Sequence, residues 1–205
     1  MVVGIDFDNT IVCYDDLFHR VAVARGLVPA DVVARKQDVR DWLRRDGKER
    51  EWTELQGHVY GPGMAEAEPF PGVIGFFTRA RSEGLPVYII SHKTRVPAVG
   101  PAHDLHQSAR DWLAAQGFFD PSRVGLSLGH VHFATTRQEK IRLIGETGCT
   151  HFVDDLEETF LEKTFPPSVV QILFGHARRP AGLPAVTLAR DWSHVSQYVF
   201  AATKP

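Results

Sequence analysis

The 205-residue sequence is poor in cysteine, with only Cys13 and Cys149 and no CxxC pair. Two isolated thiols supply neither a disulfide framework nor a thiolate metal site. No apolar run approaches the ~18 residues that a membrane-spanning helix needs, and the first residues lack the regions of a signal peptide. The sequence therefore predicts a reduced, cytoplasmic protein without a membrane partner.

A strong excess of charge of one sign is also missing. Lys and Arg together number 23 and Asp and Glu 25, which gives a formal net charge of −2. This balance offers no basic surface to nucleic acid, so nucleic acid is not an expected partner. With 43% hydrophobic and 23% charged residues, the composition is typical of a globular protein and not of a disordered chain. Any phosphate is therefore expected to bind at a local site.

Short apolar runs alternate with helical patterns along most of the chain. The predicted strands cover residues 2–7, 86–90, 124–128, 151–153, 169–174 and 185–188. Helical periodicity begins at Val73 and at Leu105. Such alternation is typical of an α/β fold with a doubly wound parallel sheet. Ligands of these sheets bind beyond the carboxyl ends of the strands.

Residues 13–70 interrupt this alternation, because they show helical patterning alone and then a turn-rich passage. Structureless loops longer than about 15 residues are uncommon, so the segment is expected to fold. We predict an α/β core made of residues 1–12 and 71–205, with residues 13–70 as a small helical insertion that acts as a lid over the carboxyl edge of the sheet. Such a lid favours small substrates over folded proteins.

The first strand runs directly into two acidic residues, Asp6 and Asp8. Because side chains alternate along a strand, both carboxylates point to the same side. Like charges at about 4 Å cost about 4 kcal/mol at an effective dielectric constant near 20, so a cation or a shared proton must compensate them. Mg²⁺ prefers carboxylate oxygens. The alternative, a turn in which Asp8, Asn9 and Thr10 cap a helix, explains one acid but not two.

Other chemically active residues follow later strands. Ser91 follows the second strand, a second acidic pair at Asp154 and Asp155 follows the fourth, and Lys140 lies in the first turn of a helix between them. Each residue alone has an ordinary structural explanation, but together they indicate one site at the carboxyl edge. Lys93 is the alternative to Lys140 as a phosphate-binding lysine, or a substrate contact.

Residues 6–10 resemble the DxDxT signature of the haloacid dehalogenase-like (HAD) hydrolase superfamily. Ser91, Lys140 and the Asp154–Asp155 pair match its second, third and fourth motifs, and the resemblance covers essentially the whole chain. It implies a Rossmann-like core. The insertion at 13–70 resembles the C1 cap of this superfamily, and the layout resembles that of its small 5′-nucleotidase-like phosphatases. Asn9 is a departure, since Gly is commoner there.

The resemblance also implies roles for these residues. Asp6 is the expected nucleophile, which forms an aspartyl-phosphate, and Asp8 is the expected general acid and base. The implied Mg²⁺ ligands are Asp6, the backbone carbonyl of Asp8, Asp154 and Asp155. The implied phosphate-binding residues are Ser91, Lys140, and Asn9 and Thr10 in the loop after Asp6.

The predicted function is therefore Mg²⁺-dependent hydrolysis of a small phosphorylated metabolite by a monomer or homodimer. Asp8 favours a phosphatase over a dehalogenase, because an alcohol leaving group needs a proton and a halide does not. Two alternatives stay open. A phosphomutase returns the phosphoryl group to the substrate, and a non-enzymatic receiver keeps it on the aspartate. Release of free phosphate separates the phosphatase from the phosphomutase, and a stable aspartyl-phosphate that lasts many minutes without substrate turnover would indicate the receiver.

Overall fold

The computed structural model describes residues 1–183 and 185–201. Its strands are β1 (Val3–Ile5), β2 (Val12–Cys13), β3 (Glu68–Pro69), β4 (Val87–His92), β5 (Val131–Ala134), β6 (His151–Asp154), β7 (Val170–Phe174) and β8 (Thr187–Ala189). Its α-helices are α1 (Asp15–Ala24), α2 (Lys36–Arg45), α3 (Glu49–Tyr60), α4 (Val73–Ser82), α5 (Leu105–Ala115), α6 (Arg137–Glu146), α7 (Glu157–Phe160) and α8 (Trp192–Ala201). Short 3₁₀ helices lie at Pro62–Glu66 and Leu128–His130. Among the described residues, none of the helices combines the length and apolarity that crossing a membrane requires.

Six strands form a parallel sheet in the order β5-β4-β1-β6-β7-β8. The central strand β1 pairs on both sides, so that Ile5 lies opposite Ile89 of β4 and Val153 of β6. Val3 and Ile5 are fully buried, as expected for a strand covered on both faces. The predicted α/β fold with a parallel sheet is confirmed. All six carboxyl ends consequently meet at one edge.

Close packing at the centre of the sheet requires a glycine. A Cβ atom added to Gly4 would lie 2.5 Å from the ring of Phe152 and 2.7 Å from Sγ of Cys149. Phe152 belongs to an apolar cluster that also includes Ile141 and Ile144 of α6. The bare backbone of Gly4 therefore lets Phe152 of β6 and Cys149 pack closely against β1.

The last described helix, α8, contacts the loop that follows β1. Trp192 is 1% exposed, and its indole Nε1–H donates to the backbone carbonyl of Thr10 at 3.0 Å. Its ring also packs against Phe76 of α4, with the ring centroids 5.0 Å apart. The path of residues 6–10 is thus fixed partly by a side chain far away in the sequence.

The chain divides into two compact units. The first comprises Met1–Val12, Pro69–Lys93 and the described residues from Gly117 onward, and it contains the six-stranded sheet. The second comprises Cys13–Glu68 and Thr94–Gln116. Strands β2 and β3 pair where the chain passes from one unit to the other. Residues 94–116, which are predicted to belong to the core, group instead with the helical insertion.

The second unit has a core rich in aromatic side chains. The rings of Phe18 and Trp52 lie 5.0 Å apart, as do those of Tyr14 and Tyr60. From α5, the buried Trp112 donates its Nε1–H to the carbonyl of Ala67 at 2.8 Å. This hydrogen bond satisfies a buried indole, and α5 also buries Leu105, Ala109 and Leu113.

The prediction of a strand at residues 124–128 is wrong. Gly125 adopts a left-handed φ of 64°, and the N–H of Leu126 donates to the carbonyl of Phe118 at 2.8 Å. These features form a turn, and Leu128 is 64% exposed. The strand beside β4 is β5 instead, a few residues later. The other five predicted strands overlap observed ones.

Asp191 precedes α8 and is expected to stabilise it. Its Oδ1 accepts hydrogen bonds from the backbone N–H groups of Ser193 at 2.9 Å and His194 at 3.0 Å. Asp191→Ala should lower the free energy of unfolding by about 1 kcal/mol, as loss of a helix cap typically does. The measurement is urea unfolding at neutral pH.

The contribution of Asp191 should also depend on pH. Hydrogen bonds from the Ser193 hydroxyl and the His194 N–H hold the pKa of Asp191 well below its usual range. The stabilisation is therefore fully present above the unfolded-state pKa near 4 and is lost as the pH falls further. Asp191→Asn is the matched control, because it keeps a capping oxygen that does not ionise. An Asp191→Ala variant as stable as the wild type would contradict this role.

Candidate active site

The two acids after β1 lie at the carboxyl edge of the sheet. The N–H of Asp6 donates to the carbonyl of Val153 at 2.8 Å, which continues the pairing of β1 with β6. Between the acids, Phe7 is fully buried and packs edge-on against Phe133 of β5, with the centroids 5.6 Å apart. Asp6 is 4% exposed, and the side chain of Asp8 is 20% exposed. Burial of Phe7 thus fixes both neighbouring carboxyl groups at the edge.

Lys140 of α6 forms two buried ion pairs. Its Nζ donates to Oδ1 of Asp6 at 2.5 Å and to Oδ2 of Asp154 at 2.6 Å. Burial by itself lowers the pKa of Lys140, but the carboxylates of Asp154 and Asp6 outweigh it, so the pKa is raised. The lysine is therefore charged at neutral pH and joins α6 to the ends of β1 and β6.

The negative charge around Asp6 is only partly compensated. Burial raises the pKa of Asp6 to about 7, against the opposing effect of Lys140, and the charges of Asp154 and Asp8 add to the rise. Carboxylate oxygens of Asp6, Asp154 and Asp155 all lie within 4.8 Å of one another. An oxygen-rich group of this kind suits a hard divalent cation.

Neighbouring contacts hold the second acidic pair in place. Oδ1 of Asp154 accepts from the N–H of Leu156 at 2.9 Å, so this carboxylate bonds both the lysine and the following turn. The hydroxyl of Thr10 donates to Oδ1 of Asp155 at 3.4 Å. The loop after β1 therefore meets the loop after β6, and the Thr10 hydroxyl is directed toward a carboxylate.

Ser91 and Lys93 lie at the end of the neighbouring strand β4. Ser91 is 1% exposed, and within the described part of the chain its Oγ has no hydrogen-bond partner. Lys93 is also buried, and its Nζ donates to both carboxylate oxygens of Asp8, each at 2.9 Å. From the sequence, Lys93 is the alternative phosphate-binding lysine, but the sequence does not predict its contact with Asp8. Its position two residues after Ser91 was the available signal.

The turn after Asp8 has an unusual backbone conformation. Asn9 has a φ of 57°, and among the described residues it alone combines a positive φ with a side chain. Asn tolerates the left-handed region better than other residues with a side chain, which explains why it can stand where Gly is commoner. The expected phosphate-binding loop at Asn9 and Thr10 is therefore a tight turn.

Solved structures of HAD-superfamily proteins resemble this chain over nearly its whole length. A HAD family hydrolase from Deinococcus radiodurans R1, with bound phosphate and sodium, is 13% identical with a TM-score of 0.63, and the match covers 98% of this chain and 95% of that chain. A HAD-superfamily hydrolase from Ehrlichia chaffeensis is 10% identical with a TM-score of 0.58, over 99% and 97% of the two chains. A predicted phosphoglycolate phosphatase from Haemophilus somnus 129PT is 15% identical with a TM-score of 0.55, over 97% of both chains.

No protein-family model and no curated protein matches the chain. At these low identities the structural likeness establishes the fold alone. The fold implied by the resemblance of residues 6–10 is confirmed: the chain has the α/β fold of HAD-superfamily hydrolases. The C1 cap type and the likeness to 5′-nucleotidase-like members stay predictions.

Lys140 is expected to be essential for stability. Lys140→Met should lower the free energy of unfolding by about 3–5 kcal/mol, because it leaves two buried carboxylates without their partner. Urea unfolding in the presence of EDTA measures this loss. Lys163 is exposed, so Lys163→Met should change the stability by less than about 0.5 kcal/mol. A Lys140→Met variant as stable as this control would contradict the ion-pair assignment.

The left-handed turn predicts a contrast between two substitutions at Asn9. Asn9→Ala should destabilise the protein by about 1 kcal/mol, because alanine pays a steric cost at positive φ. Asn9→Gly should stay within about 0.5 kcal/mol of the wild type, since glycine adopts this conformation freely. Thermal or urea unfolding of both variants measures the difference. Equal stabilities would show that the conformation of Asn9 does not matter.

Proposed function

We propose that this protein is a Mg²⁺-dependent phosphatase that hydrolyses a small phosphate monoester through an aspartyl-phosphate on Asp6. The observation that carries the proposal is the convergence, at one sheet edge, of three carboxylates, a charged lysine and a buried hydroxyl that has no partner among the described residues. The likeness in fold to HAD-superfamily hydrolases supports it. So does the phosphate bound in the Deinococcus structure.

The residues present fit a magnesium ion. Asp6, Asp154 and Asp155 offer the hard oxygen ligands that Mg²⁺ prefers, and the backbone carbonyl of Asp8 is the fourth expected protein ligand. Lys140 alone does not neutralise the three acids, which leaves room for a second cation. When bound, Mg²⁺ would neutralise charge on the phosphoryl oxygens.

The phosphoryl group needs donors that are not already used. The Ser91 hydroxyl is such a donor, because a buried hydroxyl without a partner is costly unless a ligand satisfies it. Lys140 supplies positive charge beside Asp6, and backbone N–H groups of the turn at Asn9 and Thr10 complete the expected cradle. These groups act mainly by positioning the phosphate and stabilising its charge.

The reaction then proceeds in two displacements. An oxygen of Asp6 attacks phosphorus, the bond from phosphorus to the substrate oxygen breaks, and Asp8 gives a proton to that leaving oxygen. Lys140 holds Oδ1 of Asp6, so we assign the attack to Oδ2. In the second step water attacks phosphorus, Asp8 takes a proton from the water, and the bond from phosphorus to Asp6 breaks. Inorganic phosphate leaves and both aspartates are regenerated.

The decisive test is removal of the nucleophile. Asp6→Asn should reduce phosphate release from 4-nitrophenyl phosphate by at least about 10³-fold, because an amide oxygen cannot form the intermediate. Wild-type activity should disappear in EDTA and return with Mg²⁺. Intact-mass spectrometry after acid quench should detect one added phosphoryl group on the wild type and none on Asp6→Asn.

The matched control is Glu146→Gln, an acid-to-amide change at an exposed position of α6, which should keep full activity. Turnover by Asp6→Asn at the wild-type rate would overturn the proposal. Return of the phosphoryl group to the substrate, without free phosphate, would instead identify a phosphomutase.

A further inference from the structure

Asp8 has a buried cationic partner that the motif assignments do not include. Nζ of Lys93 lies 2.9 Å from each carboxylate oxygen of Asp8. The lysine side chain is 3% exposed and the aspartate side chain 20% exposed. An ion pair shielded in this way is weakened by solvent much less than a surface pair.

Several contacts fix the position of Lys93. Its backbone N–H donates to the carbonyl of Ala134 at 2.8 Å, which ties the residue to the end of β5. Its ammonium lies 5.6 Å from the ring centroid of Phe7, within the range of a cation–π contact. Because Phe7 is itself buried between the two acids, lysine and carboxylate are held by the same small set of packed groups.

The two acids of the first motif thus have separate lysines. Lys140 bonds Asp6 and Asp154, whereas Lys93 bonds Asp8. Equal contacts to both Asp8 oxygens constrain the orientation of the carboxyl group. A residue that must transfer a proton to and from one defined point needs this kind of constraint.

We propose that Lys93 is a positioning residue for Asp8, an inference that rests on the proposed phosphatase function. Lys93 holds the Asp8 carboxyl group in the orientation from which it gives a proton to the leaving oxygen and later takes one from water. On this account Lys93 acts through Asp8 and does not bind the phosphoryl group. The effect of removing it should therefore depend on how much the leaving group needs a proton.

The test compares two substrates in the Lys93→Met variant. An alkyl phosphate needs protonation of its leaving oxygen, whereas 4-nitrophenolate leaves without it. Because Asp8 also takes a proton from water in the second displacement, which both substrates share, the comparison uses the single-turnover rate of leaving-group release, which reports the first displacement alone. We expect this rate to fall about 10²-fold for the alkyl phosphate and less than about threefold for 4-nitrophenyl phosphate, with the half-saturating concentration of each substrate changed less than about threefold. Asp8→Asn should show the same dependence on the leaving group, and Lys163→Met should change neither rate.

Two further measurements separate positioning from a general structural role. Adding Lys93→Met to Asp8→Asn should cause no further loss of kcat, because the two residues act as a unit. In unfolding experiments without Mg²⁺, the cycle of Asp8→Asn, Lys93→Met and the double variant should show a coupling of about tenfold in the unfolding equilibrium constant. Lys93→Arg, which keeps the charge and can bond both oxygens, should restore much of the alkyl phosphate activity.

Equal losses of the single-turnover rate on both substrates, or a rise in the half-saturating concentration shared by both, would overturn the inference and indicate a phosphate contact. So would a further loss when Lys93→Met is added to Asp8→Asn. These results leave the proposed function intact as long as the wild type releases phosphate and Asp6→Asn does not. A wild type inactive on both substrates would instead overturn the proposed function and this inference with it.

Discussion

The ion pairs of Lys140 are the interaction on which the rest of this site depends. Asp6 and Asp154 end adjacent strands of a parallel sheet, so the topology itself forces two carboxylates together where little water reaches them. Without a cation between them, this edge of the sheet would be destabilised by repulsion and desolvation. Because α6 leads directly into β6, a residue of that helix can contact both acids. The same ion pairs therefore stabilise the core and set the geometry of the site.

Much of the candidate site follows from local sequence rules. The spacing of Asp6 and Asp8 predicts that both side chains lie on the same side of the strand. The ends of apolar runs indicate Ser91, Asp154 and Asp155 as further site residues. Parallel topology then brings these ends together. The contact between Lys93 and Asp8 could not be predicted from such rules. It depends on how the chain turns after β4 and on where that turn lies relative to the end of β1. No pattern within either segment encodes that distance.

The parts of the fold that sequence reasoning missed have a similar cause. Residues 124–128 are apolar enough for a strand, but Gly125 and the hydrogen bond from Leu126 to Phe118 form a turn. The helical period of α5 is clear, whereas its partner is not, since any apolar surface can accept its buried face. One specific contact in the structure is the hydrogen bond from Trp112 to Ala67, at the end of the insertion. Hydrophobic periodicity thus predicts where helices and strands lie, but it does not predict which of them pack together.

The contact between Trp192 and Thr10 has a consequence for the newly made chain. These residues are 182 positions apart, and the hydrogen bond ties the loop beside the nucleophile to the last described helix. A ribosome releases the first strand long before it has translated α8. Until that helix emerges, the Thr10 carbonyl lacks its indole partner and the tight turn at Asn9 lacks this support. Completion of the acidic site is therefore expected only after α8 has emerged, when all six strands of the sheet are available to hold it.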